Sequence, residues 1–213
     1  NWDNARAGTK EDFQAAWDSL APGDTLRVGS GTYAGIAIRA EKAGAAGKIV
    51  KFLGVDRGGG LPLFQNNFDK NNPAKTGGMF FRASQGASYF EIEGLRVHNY
   101  QIGFRLEGGN QNIRISRVEM EEFREGIRSE SAPPIEDAAA WSHTVTVADC
   151  RFVNFTKRAV RLQGGNHHWR IERCHADAGG EAWFTEPFAV CYQVVGDDDA
   201  REAKKPRFLI HIW

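Results

Sequence analysis

One pattern is written repeatedly between Tyr89 and Ile171, and it restricts the fold more than anything else in the chain. YFEIEGLRVHNYQIGFRLEGGN (89–110) is followed by QNIRISRVEMEEFREGIRSE (111–130). After an interruption come HTVTVADCRFVNFTKRAVRLQGGN (143–166) and HHWRIERCHADAGG (167–180). Aligned, the apolar residues form columns: Phe90, Ile113, Val145 and Trp169, then Ile92, Ile115, Val147 and Ile171. Leu95, Val118, Cys150 and Cys174 make a third, and Val97, Met120, Phe152 and Ala176 a fourth. Tyr100, Phe123 and Phe155 make a fifth. The step is 23, 32 and 24 residues, and Leu-x-Gly-Gly-Asn recurs at 106–110 and 162–166. Short alternating strands and turns repeating at this length predict a solenoid, in which each coil buries its apolar face only by stacking on its neighbours.

The remaining chain is consistent with one all-β solenoid domain over residues 1–213. Residues 9–20, TKEDFQAAWDSL, predict an amphipathic helix with Thr9 as N-cap and Asp12 at the capping-box position. Phe13, Ala16, Trp17 and Leu20 form its apolar face, and Pro22-Gly23 ends it. Such a helix would cover the open end of the first coil. Strands are expected at 24–28, 36–39, 49–52, 61–64 and 79–82, with a polar loop at 65–78. An excursion, SAPPIEDAAAWS (131–142), interrupts the repeats. Residues 181–203 break the register, with Asp197-Asp198-Asp199 in an acidic loop or, less simply, a calcium loop. Pro206 to Trp213 reads as a further strand with nothing after it, so the C-terminal end is expected to be uncapped, truncated or covered by another element.

Charge and composition exclude several classes. Lysine plus arginine and aspartate plus glutamate both number 27, so no global field favours nucleic acid. No apolar run approaches the ~20 residues of a membrane span. No signal peptide is recognised, but a start at Asn1-Trp2 would suit a processed chain, and a secreted or periplasmic location is expected. Three cysteines are too few for a disulfide scaffold. Cys150 and Cys174 share a column and are expected as a buried apolar pair on adjacent coils; whether they form a disulfide is left open.

The order of helix, PGDTLRVGSGTYAGIAI, loop and YFEIEGLRVHN resembles right-handed parallel β-helix proteins, above all secreted polysaccharide lyases of the chondroitinase B and alginate lyase kind. PGDTLRV…GTY (22–33) and FEIEGLRVHN (90–99) carry the resemblance, which spans about residues 9–176. It implies three strands per coil, with 103–107, 126–130 and 159–163 in the first sheet, where such proteins hold substrate. Residues 112–116, 144–148 and 168–172 fall in the second sheet, and 95–100, 118–123 and 150–155 in the third. It also implies an acidic polysaccharide substrate, basic catalytic residues and, often, calcium.

Alternation along the strands then places side chains. Phe104, Leu106, Ile127, Val160 and Leu162 point in, so Arg105, Arg128 and Arg161 point out in one column, with Arg82 extending it by one coil. Glu107 and Glu130 flank them. Coils stack ~4.8 Å apart, so like charges are crowded. The column reads either as a salt-bridged, solvated face or as a seat for uronate carboxylates, which guanidinium groups bind by paired hydrogen bonds. On the second reading Lys157 is the candidate base, because crowded cations lower a lysine pKa, and Arg161 and Arg128 neutralise the substrate carboxylate. Arg82, Arg105, Arg158, His167, His168 and Trp141 are candidate substrate contacts. Glu107 and Glu130, with Asn110, are candidate calcium ligands, although the Glu-x-Glu pattern associated with the resemblance is missing from this sheet. Trp183 is a further aromatic; it and Trp141 either stack on sugar rings or bury their own loops, while Trp169 belongs to the core. The paired carboxylic acids that glycoside hydrolysis needs are not evident. β-Elimination is therefore the leading expectation. A non-catalytic carbohydrate-binding or adhesive β-helix, or a piece of a larger enzyme, stands as the alternative.

Overall fold

The computed structural model describes residues 9–41, 43–130, 138–183, 185–187, 189–195 and 210–212. A helix, α1 (Lys10–Asp18), is followed by β1 (Thr25–Gly29), β2 (Thr32–Ala34), β3 (Ile38–Ala40), β4 (Val50–Val55) and β5 (Leu63–Gln65). Next come β6 (Met79–Ala83), β7 (Phe90–His98), β8 (Ile102–Leu106) and the long β9 (Gln111–Glu130). After a 3-10 turn at Ala138–Ala140 lie β10 (His143–Ala148), β11 (Arg151–Gln163), β12 (His167–Glu172), β13 (His175–Asp177), β14 (Val190–Val195) and β15 (Ile210–Ile212).

All inter-strand pairings between these elements are parallel, and they sort into three faces of a coil. The second sheet runs β1, β4, β7, β9, β10, β12, β15. The first sheet stacks β3, β6, β8, the end of β9, the end of β11 and β14. The third stacks β2, β5, the end of β7, the middle of β9, the start of β11 and β13. The fold is a right-handed parallel β-helix with three strands per coil. The apolar columns of the repeat are its interior: Phe90, Ile113, Val145 and Trp169 stand in register and are buried.

The corners are built from single residues in the left-handed backbone region. Tyr89, Asn112, Thr144 and His168 turn the chain into the second sheet at φ of 59°, 54°, 56° and 54°. Arg117, Asp149 and Arg173 make the next corner, and Asn99, Glu122 and Asn154 the third. A single such residue bends the chain without breaking its hydrogen-bond ladder, so β9 runs unbroken through all three sheets.

α1 is capped as expected: the Asp12 amide donates to Thr9 Oγ1 at 3.2 Å, and the Thr9 amide donates to Asp12 Oδ2 at 2.9 Å. Phe13 meets Tyr33 and Phe64 edge-on at 5.3 and 5.4 Å, and Trp17 meets Phe81 at 5.1 Å. The helix thus closes the first coil with two aromatics, each burial stabilising by about 1.5–3 kcal/mol.

Two features depart from the sequence expectation. β2 (Thr32–Ala34) was not foreseen; it is a three-residue strand with one buried side chain, Tyr33, too short to show a period. The register does not end at 180, because Val190–Val195 pairs with β11 and adds a rung to the first sheet. The expected final strand is present at Ile210–Ile212 and stacks on Trp169–Ile171 of β12. Asp197–Asp199 and 131–137 lie outside the described residues.

Candidate functional site

The outward column of the first sheet is longer than the repeat alone reveals. Arg39 pairs in register with Arg82, Arg82 with Arg105, Arg105 with Arg128, and Arg128 with Arg161. Gln193 continues it on β14. Side-chain exposure falls from 55% at Arg39 to 30% at Arg105 and 18% at Arg161, so the arginines are increasingly covered toward the Arg161 rung.

Carboxylates are interleaved with the arginines unevenly. Glu107 takes Arg82 Nη2 at 2.6 Å and lies 3.6 Å from Arg105 Nε. Glu130 accepts from Arg105 Nη2 at 3.0 Å and Arg128 Nε at 2.7 Å. Burial alone would raise the Glu130 carboxyl pKa, but the Arg128 hydrogen bond and the charges of Arg128, Arg105 and Arg161 outweigh it and hold it below its usual value. On the next rung this carboxylate column gives way to Gln163, which sits in register with Glu130. Among the described residues, the carboxylate within ion-pair distance of Arg161 is Glu125, at 3.9 Å. Glu125 is already held by Arg158 at 2.7 Å and Arg128 at 3.3 Å. Burial lowers the Arg161 pKa, Glu125 opposes this, and the charges of Arg128 and Arg158 add to the lowering. Among the described residues, the Nε atoms of Arg82, Arg105, Arg158 and Arg161 and the Oε1 of Gln193 are buried without a hydrogen-bond partner. Such atoms are uncommon in native interiors and call for a partner.

Two walls border this face. Where the chain enters the first sheet, the β9–β11 register shifts between Phe155 and Arg158, and Lys157 sits in that bulge. Its Nζ lies 3.5 Å from Glu186, which also holds Arg124 by two parallel bonds of 2.9 Å and accepts from Thr156 Oγ1 at 2.9 Å. The Lys157 pKa is lowered, as expected, but burial is the larger cause; Arg124 adds to it and Glu186 opposes it. Nearby, Lys70 Nζ lies 4.9 Å over the Trp183 ring and donates to the Ala182 carbonyl, so Trp183 already meets a cation.

The opposite wall is aromatic. His143 and His167 stack at 4.8 Å with planes 8° apart, and His168 meets His167 with Nδ1 atoms 2.5 Å apart. At that distance one ring donates and the other accepts. Trp141 stands edge-on to His167 at 5.7 Å and lies against Gly165, where a Cβ would come within 2.2 Å of the indole. That close approach explains the second glycine of the 162–166 phrase. Burial, then the neighbouring imidazoles, lower the His167 pKa below its usual 6.5, so its neutral form is favoured.

Asn110 is not available to a metal. Its Nδ2 donates to the Ser84 and Ala87 carbonyls at 2.8 Å each and its Oδ1 accepts from the Gly108 amide, all in the interior. Asn166 is buried likewise, with Oδ1 accepting from Ser129 Oγ at 2.7 Å. Glu107 and Glu130 are both neutralised by arginines, so the donor set does not fit calcium unless a guanidinium is displaced. The described residues whose ligand atoms do converge are His98, Glu119 and Glu121, on the third sheet and away from this face. There Arg96 at 3.4 Å and Arg151 at 4.0 Å also share Glu119.

The sequence alone puts Lys157, Arg158 and Arg161 on one rung and Glu125 in the turn entering the same sheet, but gives Glu125 no role and does not bring in His143, Glu186 or Gln193. His143 could have been found, because it stands one rung from His167 in register.

No protein-family model matches the chain, and no curated protein sequence matches it. Its structure is similar to the crystal structure of an alginate lyase from Paenibacillus sp. str. FPU-7, with a TM-score of 0.57 and 15% identity over 89% of this chain and 72% of that one. It is also similar to a rhamnogalacturonan lyase, with a TM-score of 0.52 and 13% identity over 92% of this chain and 60% of that one. A third similar structure is the pectate lyase Pel9A, with a TM-score of 0.50 and 13% identity over 94% of this chain and 56% of that one. At these identities the likeness establishes the fold, a parallel β-helix of the kind polysaccharide lyases use.

Proposed function

We propose that this chain binds an acidic, uronate-containing polysaccharide along the arginine column and cleaves it by β-elimination, outside the cell where such polymers occur. The observation that supports this most is the imbalance around Arg161. Arg128, Arg158 and Arg161 converge on the buried carboxylate of Glu125, with Glu130 also pairing Arg128, and the Nε atoms of Arg158 and Arg161 have no partner. Excess buried cation with unspent donors suits a ligand carboxylate. The three solved structures being polysaccharide lyases supports the same reading.

In this reading Arg161 and Arg128 neutralise the uronate carboxylate, which acidifies the hydrogen on the adjoining carbon. Lys157, its pKa lowered by burial and Arg124, takes that proton. The electron pair forms the ring double bond as the glycosidic carbon–oxygen bond breaks, and the ammonium formed on Lys157 is the acid available to the departing oxygen. Arg82 and Arg105 hold neighbouring acidic sugars and Arg158 adds its charge at the Arg161 rung from beneath, while Trp141, His167 and His168 border the chain on the far wall. Calcium has no place in this scheme, and EDTA is expected to leave cleavage unchanged.

A second reading, binding without catalysis, is favoured by one observation: Lys157 is tied to Glu186 and can act only when that pair opens. The deciding experiment incubates the protein with alginate, polygalacturonate and chondroitin and follows the ultraviolet absorbance of unsaturated uronate. Absorbance that is lost in Lys157→Met and Arg161→Gln supports the lyase. Binding with no absorbance on any polymer supports the second reading.

A further inference from the structure

Glu125 begins the first-sheet strand of β9, with Ile102 on one side in register and Arg158 on the other. Its side chain is 1% exposed and that of Arg158 is 7% exposed, so the pair lies beneath the face rather than on it. Oε1 takes Arg158 Nη1 at 2.7 Å and lies 3.9 Å from Arg161 Nη1; Oε2 lies 3.3 Å from Arg128 Nη1. Each arginine is therefore gripped by its Nη1 corner. Arg128 spends its Nε on Glu130, while those of Arg158 and Arg161 stay unspent.

A buried carboxylate that served stability alone would need one arginine. Glu130 offsets part of the charge at Arg128, but three guanidinium groups against these two carboxylates still leave cation in excess, which a ligand anion would relieve. We propose that Glu125 is the positioning residue of the anion site: from below the face it sets the orientation of Arg128, Arg158 and Arg161, so that their remaining donors converge on one acidic group of the ligand. The proposal rests on the reading that this face binds an acidic polysaccharide.

Charge and orientation predict opposite outcomes for Glu125→Gln. The substitution removes a negative charge, so if net charge governed binding, a polyanion would bind more tightly. If orientation governs, binding weakens. The experiment titrates galacturonate and mannuronate hexamers into folded wild type, Glu125→Gln and Glu125→Asp by calorimetry, with circular dichroism and thermal midpoint recorded for each. The expected result is a loss of roughly tenfold or more in affinity for Glu125→Gln, the scale of one charged hydrogen bond. Glu125→Asp keeps the charge but shortens the reach, and is expected to fall between the two; it also carries the test if Glu125→Gln does not fold. A purely structural role would lower the midpoint while leaving the affinity of the folded protein unchanged. Equal or tighter binding by the folded variants overturns the role of Glu125 alone. Wild type that binds neither hexamer overturns the polysaccharide reading, and the inference with it.

Discussion

Thr144 holds a β-branched side chain at φ 56°, a backbone region in which branching at Cβ crowds the carbonyl. Asn112 fills the same corner one coil earlier at φ 54°, and asparagine tolerates this conformation. Thr144→Asn is therefore expected to stabilise the protein by ~1 kcal/mol, read as a higher urea midpoint; a lower midpoint would show that the Thr144 hydroxyl, 3.0 Å from His143 Nδ1, matters more than the strain. Arg105, Arg128 and Arg161 were legible in the sequence because like residues recur in one outward column. Glu125 was not, because its register neighbours are Ile102 and Arg158, and no column of similar residues marks it. Gln193 and Glu186 lie in a stretch without an aligned repeat, and only folding brings them to the Arg161 rung and the Lys157 bulge.

At the scale of elements, coil stacking sets how closely backbones approach. Gly54 on β4 lies so near β7 that an added Cβ would sit 1.8 Å from the Gly94 carbonyl oxygen. The obstacle is backbone, which cannot swing away, so Gly54→Ala is expected to cost about 1–3 kcal/mol, seen as a fall in urea midpoint; an unchanged midpoint would show that β4 and β7 part to admit a methyl group at no cost. The repeat made the three sheets legible from 89 to 171, because interior columns demand apolar residues at fixed steps. The corners were illegible, since Tyr89, Thr144, Arg117 and Arg173 are not residues that advertise a left-handed backbone. β14 was hidden by a second long step, from Arg161 to Gln193, and its short register of Arg158 to Gln163 against Val190 to Val195 appears only once the chain is folded.

For the whole molecule, a formal net charge of zero conceals a face on which cations outbid carboxylates. Acid should undo the fold in two stages. Burial holds His98, His143 and His167 below their ordinary value of 6.5. The unfolded chain therefore binds protons that the folded chain refuses, and stability falls as pH drops through 6.5. Glu130 and Glu186 are held below 4.5 because, against the effect of burial, arginine hydrogen bonds and charge favour their ionised forms. Their contribution is complete above 4.5 and is lost as pH falls through their lower folded values. The thermal midpoint should thus decline in both windows, and a midpoint that rises between pH 7 and pH 5 would contradict it. The central claim, that the arginine column is a seat for acidic sugars centred on Arg161, is tested most directly by comparing polygalacturonate with its carboxyl-reduced, uncharged counterpart in calorimetric titrations of wild type and Arg161→Gln. Wild type is expected to bind the acidic polymer and ignore the neutral one, and Arg161→Gln to lose most of that preference while remaining folded. Equal affinity of wild type and Arg161→Gln for the acidic polymer would contradict it.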